Sequence, residues 1–103
     1  MDASIKRRWV EALRSGMYSQ DIGALRYKNR FCCLGVLCDL YNPDKWKNID
    51  PDQSDSYEGY SSFPPPKILT EIGISFEIVQ ELGMLNDDGC SFREIADHIE
   101  KHL

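Results

Sequence analysis

Apolar positions recur at helical spacing in several stretches of the chain, and the segments between them lack any such period. Ile5, Trp9, Ala12 and Leu13 share one side of residues 4–15, with Lys6, Arg7, Arg8, Glu11 and Arg14 on the other. This predicts an amphipathic helix that ends near Gly16. The next stretch, "MYSQDIGALRYKNRF", has no helical stripe. Ala24–Tyr27 and Arg30–Cys32 read as two short extended segments around Lys28-Asn29, a β-hairpin. From Cys33 to Tyr41 almost every face is apolar and only Asp39 is charged, which predicts a central buried helix that Asn42-Pro43 ends.

Residues 43–65 are rich in Asp, Ser, Pro and Tyr, with Trp46 and Phe63 interspersed. Such a long connection is expected to be functional or partly disordered. Pro66 suits the first turn of a short helix over 66–72, stopped by Gly73. Ile78, Val79, Leu82 and Leu85 mark a helix over 76–85, followed by a turn at "NDDG", 86–89. "SFRE", 91–94, is a capping box, with Cys90 and Ile95 placed as a hydrophobic staple. Phe92, Ile95, Ala96, Ile99 and Leu103 form the stripe of a last helix. The expected fold is mainly α (α+β): one compact domain over 1–103, with four or five helices and a small β-hairpin. There is no internal repeat.

Charge adds an asymmetry. Residues 1–30 carry seven Lys/Arg against three Asp/Glu, and residues 31–103 carry five against fourteen, so +4 and −9 make the net −5. The overall sign argues against general nucleic-acid binding, in which phosphate contacts dominate affinity. No apolar run approaches transmembrane length, and the basic start has no apolar h-region after it. The expected location is the cytoplasm, where thiols stay reduced.

The four cysteines are expected to be structural, and no cofactor or metal is expected. The spacing C-C-x₄-C of Cys32, Cys33 and Cys38 does not match paired zinc ligands. A vicinal disulfide would be strained, and a catalytic thiol needs a base and an electropositive setting. His98 and His102 stand at i, i+4 but lack the glutamate of an H-E-x-x-H arrangement. In "NDDGCS" the calcium-loop spacing fails, since the first ligand would fall on Met84. "SFREIADHIEKHL" has no recognition helix after it. No phosphate-cradling glycine loop, serine elbow or paired-carboxylate motif stands out, so the reading is non-catalytic.

The strongest candidate site is the basic, aromatic and amide cluster within 12–30: Arg14, Tyr18, Gln20, Arg26, Lys28 and Arg30. Guanidinium forks suit phosphate, an amide suits base edges, and tyrosine can stack on a base. The bland reading is a surface segment that pairs with the acidic remainder. A second candidate is the acidic aromatic loop 50–63, with Asp50, Asp52, Asp55, Tyr57, Glu58 and Tyr60, which could dock on a basic cleft of a partner protein.

The strings "WVEALRSGMYSQDIGALR", "FCCLGVLCDLY", "PPPKILTEIGI" and "LNDDGCSFREIADHIE" resemble a group of small proteins encoded by phages and prophages. The resemblance covers most of the chain outside 43–62. It implies an accessory gene expressed in a bacterial host cytoplasm and, by analogy of context, an inhibitor, decoy or ligand sponge acting against host defences. It carries over no catalytic residues. Two functions are therefore expected in order: a counter-defence protein that sequesters an anionic nucleotide-like small molecule, with a homo-oligomer completing the pocket, or a protein–protein inhibitor of a host defence enzyme acting through loop 50–63.

Overall fold

Helix α1, Ala3–Arg14, starts where the Asp2 carboxylate accepts the Ile5 N–H at 2.9 Å. The fold is described by a computed structural model covering residues 1–48 and 50–103; Ile49, inside the expected 43–65 connection, lies outside the described residues. Trp9, Val10 and Leu13 of α1 turn inward, and the Trp9 indole N–H donates to the Cys33 carbonyl at 2.9 Å. That bond satisfies the polar atom of a fully buried ring.

Strands β1 (Ser19–Gln20), β2 (Arg26–Tyr27) and β3 (Arg30–Phe31) form a small sheet in the order β1-β3-β2. β2 and β3 are the expected hairpin. Lys28 and Asn29 both have positive φ, 48° and 62°, as a tight two-residue turn between right-twisted strands requires. β1 joins β3 in parallel, a pairing no local pattern announced.

Helix α2, Cys33–Tyr41, has the expected bounds, and Cys33 through Cys38 are all buried. Helix α3, Pro66–Ile72, ends at Gly73 in the left-handed region. Helix α4, Phe76–Asp87, is capped by Ser75 and runs two residues past the expected 76–85, because Asn86 is buried and bonded on the helix's inner side. Helix α5, Phe92–His102, begins with the full Ser91/Glu94 capping box and buries Phe92, Ile95, Ala96 and Ile99. α1 packs on α2 and α5, and α4 packs on the same two helices, so the four close a ring around one core. Among the described residues the result is a single mainly helical domain of five α-helices with small sheets.

The connection after α2, expected to be functional or partly disordered, carries short regular elements in its described residues. A 3₁₀ turn, Pro43–Lys45, leads into strand β4 (Trp46–Lys47), which pairs antiparallel with β5 (Ser56–Tyr57). Tyr57 and Tyr60 then exchange both backbone hydrogen bonds, at 2.7 and 3.0 Å, around Glu58 and Gly59. Tyr57 is fully buried, and its ring meets Trp46 edge-on at 5.0 Å.

One glycine sets how closely α2 approaches the hairpin. A Cβ built on Gly35 would lie 1.8 Å from the Leu25 carbonyl oxygen, so only glycine allows that contact.

Candidate functional site

The residues of the basic cluster each meet other groups of the same chain. Arg14, on the exposed side of the last turn of α1, reaches across to α5 and pairs with Asp97 at 2.5 Å and Glu100 at 2.7 Å. Those two carboxylates raise its pKa. Tyr18 donates to an Asp39 carboxylate oxygen at 2.6 Å and stands edge-on to Phe31. Burial first, and then the bond to that carboxylate, push its phenol up to about 12. The other Asp39 oxygen accepts the Trp46 indole N–H at 3.0 Å.

Gln20 is consumed inside the fold. Its amide nitrogen donates to Asn86 Oδ1 at 3.0 Å and to the Cys90 carbonyl at 2.8 Å, and its oxygen accepts the Phe92 N–H at 3.1 Å. Arg26 pairs with Asp55, and its guanidinium lies 4.4 Å from the Trp46 ring centroid. Lys28 lies over Tyr27, and Arg30 stands 3.6 Å from Asp21. Both are exposed on the hairpin. Tyr18, Gln20 and Arg26, read from sequence as ligand groups, are bonded here to buried or half-buried polar groups of the same chain.

Loop 50–63 divides in the same way. Asp55 is buried and receives Arg26, with the Asn48 side-chain amide at 2.5 Å as a second donor. Tyr57 donates its hydroxyl to the Asn42 carbonyl at 2.9 Å. Glu58 pairs with Lys45 at 2.6 Å. Asp50, Asp52 and Tyr60 face solvent.

Sequence reasoning missed Asn86, the fully buried polar side chain at the centre. Its Oδ1 accepts the Cys33 N–H at 3.2 Å as well as the Gln20 amide, and its Nδ2 donates to the Asp21 carbonyl at 2.8 Å. The first N–H groups of a helix have no intrahelical partner. Cys32 offers α2 no side-chain cap, so Asn86 supplies the acceptor from α4. The available signal was its place in the buried stripe, at i+4 from Leu82.

Cys32, Cys33 and Cys38 are free and buried, and Cys90 is free and partly buried. Burial pushes the Cys32 thiol up to about 11 and raises those of Cys33 and Cys38 well above the ordinary value. A thiolate nucleophile needs the opposite shift. Among the described residues no group of three or more His, Cys, Asp or Glu side chains is arranged to hold a metal ion. His98 lies 3.6 Å from Glu81, and its ring centroid is 4.5 Å from that of His102.

A cleft of about 450 Å³ opens elsewhere, between α2, α4 and the Ser62–Phe63 segment. None of the twelve residues singled out above from sequence lines it. Cys32, Leu34, Phe63, Gly83 and Met84 make most of its wall, and Asp87 is the charged residue there. One Asp87 oxygen accepts the Gly23 N–H at 2.9 Å, which ties the segment before the hairpin to α4.

Fold and geometry together define a small helical domain braced by buried amides and an internal ion pair. The chain belongs to the family described as a domain of unknown function, DUF8296, whose model matches residues 1–72, from the start of the chain to the end of α3. No curated protein matches it. No solved structure matches it either. Among the described residues no helix is long and apolar enough to cross a membrane.

Proposed function

We propose that this protein is a non-catalytic accessory protein of phage type that acts in the host cytoplasm by binding and inhibiting a host defence protein. Its resemblance to phage-encoded proteins supports the setting. The observation that carries the choice of target is the internal pairing of Arg14, Gln20 and Arg26. Each already holds carboxylate, carbonyl or N–H partners within the chain. A phosphate at any of them would have to displace a native contact, so sequestration of an anionic nucleotide becomes the second reading.

The docking edge is the exposed part of loop 50–63. Asp50, Asp52 and Tyr60 project from a segment held by the buried Asp55–Arg26 pair and by Tyr57. No Lys or Arg occurs between residues 48 and 66, so the edge suits a basic surface.

Two measurements on the purified protein test the reading. In the first, calorimetric titration with cyclic and linear nucleotides is expected to give no heat of binding. In the second, capture from host extract is expected to recover one protein in stoichiometric amount, and to fail for an Asp50→Asn, Asp52→Asn, Tyr60→Ala variant. A nucleotide that binds wild type while no protein is captured would overturn it.

A further inference from the structure

The cleft beside α4 has the features of a second contact surface. Its floor is apolar, with Leu34 and Phe63 facing bare helix at Gly83. A Cβ on Gly83 would stand 3.5 Å from Phe63 Cε1 and 3.6 Å from Leu34 Cδ1, ordinary contact distances, and the backbone there is not left-handed. Alanine would therefore fit and would favour the helix. Glycine in its place leaves the cleft deeper.

Met84 of the lining is 65% exposed, and Phe76, 49% exposed, stands edge-on to the lining Phe63 at 5.3 Å between ring centroids. Single exposed apolar residues are normal, but apolar residues gathered around one concavity mark an interaction site. Asp87 is the charged residue of the cleft lining, Glu77 is exposed on α4 one turn before the lining Gln80, and no Lys or Arg occurs between residues 68 and 92.

We propose that this cleft docks a helical segment of another protein that carries Lys or Arg beside its apolar side chains. An apolar side chain inserts over Gly83 between Phe63 and Met84, and the flanking cations meet Asp87 and Glu77. This is the helix-in-groove mode of recognition. Nucleic acids and anionic membrane surfaces carry the same sign as this face and are repelled by it. The inference shares with the proposed function only the premise that the target is a protein, and it concerns a different surface.

The test is a displayed library of amphipathic helical peptides, selected on the wild-type protein and counter-selected on Met84→Lys. Met84 is exposed, so that variant is expected to melt like wild type. Enriched peptides are expected to carry Lys or Arg beside apolar residues at i, i+4 spacing. Their amide chemical-shift changes should centre on Gln80, Gly83 and Met84. Met84→Lys should weaken binding about tenfold or more, on the scale where tenfold is one decade in Kd. Gly83→Ala should weaken it without loss of stability. Asp87→Asn, which keeps an acceptor for the Gly23 N–H, should weaken it and flatten its salt dependence. Enrichment of neutral or acidic peptides, enrichment that does not depend on Met84, or no enrichment would overturn the proposal. So would self-association of the wild type that Met84→Lys abolishes, because the occupant would then be a second copy. The loop 50–63 variant should bind the selected peptides like wild type, so failure at the cleft and failure at the loop are read separately.

Discussion

The side-chain amide of Gln20 donates to Oδ1 of Asn86 at 3.0 Å, and around this one bond the two residues start two helices. Asn86 accepts the first N–H of α2, and Gln20 accepts the first N–H of α5. Asn86 also holds the Asp21 carbonyl, so β1 is fastened to α4 through both residues. No buried side-chain nitrogen or oxygen among the described residues is left without a partner. Satisfied networks of this kind fix one arrangement of the elements they join.

Removal of the amide at the centre should be costly. Asn86→Ala leaves the buried Cys33 N–H and the half-buried Asp21 carbonyl without this partner, and an unpaired buried group costs about 1–3 kcal/mol. A loss of about 3 kcal/mol or more in urea-induced unfolding is expected, with a smaller loss for Gln20→Ala. The double variant should lose less than the sum of the two, since both act on one bond. Strict additivity would mean that the two amides act separately.

Arg26 and Asp55 should report on stability before binding. Their side chains are 21% and 9% exposed, so truncation of either strands a charge in a largely dry site. Arg26→Ala and Asp55→Ala should each cost about 3–5 kcal/mol. Replacement of both by apolar residues of similar size should cost less than either single change. Equal losses for the single and paired variants, read from denaturation curves, would deny the pair this role.

Two helix glycines should respond in opposite directions to the same substitution. Gly35→Ala drives a Cβ into the Leu25 carbonyl and should prevent native folding at ordinary temperature. Gly83→Ala meets only ordinary contacts and should stabilise α4 by up to about 1 kcal/mol. Thermal melts of the two variants give both signs directly.

The thiols should behave as packing groups. Ellman's reagent should react slowly with Cys32, Cys33 and Cys38 in the native protein and quickly once it is unfolded, with Cys90 the most accessible of the four. Cys33→Ala and Cys38→Ala should each cost about 1–2 kcal/mol through lost packing. Fast native labelling of Cys33 or Cys38 would contradict this placement.

Alkaline pH should weaken the fold in a defined window. The Tyr18 phenol has its pKa raised from 10.0 to about 12, so the folded state favours the protonated form. That contribution is fully present below the unfolded value and is lost as pH rises through the folded one. Burial shifts Tyr57 and Cys32 in the same direction. Stability should be level below about pH 9 and fall between about pH 10 and 12. Tyr18→Phe should shallow that slope; an unchanged slope would remove Tyr18 as a contributor.

Helical periodicity, caps and turn residues placed α1, α2, α3, α5 and the β2–β3 hairpin from sequence alone, because each depends on side chains within a few residues of one another. Ser91 and Glu94 close their box locally, Lys28 and Asn29 turn the hairpin, and the apolar run 33–38 cannot be solvated on any face. The mainly helical fold and the buried cysteines follow from such local and compositional facts.

Which polar residues remain free to meet a partner is a tertiary property. Arg14 is answered by Asp97 and Glu100, Gln20 by Cys90 and Phe92, and Arg26 by Asp55, across separations no local pattern encodes. The same holds for the parallel β1–β3 pairing, the β4–β5 ladder and the apolar cleft over Gly83. Each brings together groups whose partners are chosen when the helices close around the core. An arginine or a glutamine has the same chemistry in a binding site as in an internal brace, and only the packed structure decides which of the two it serves.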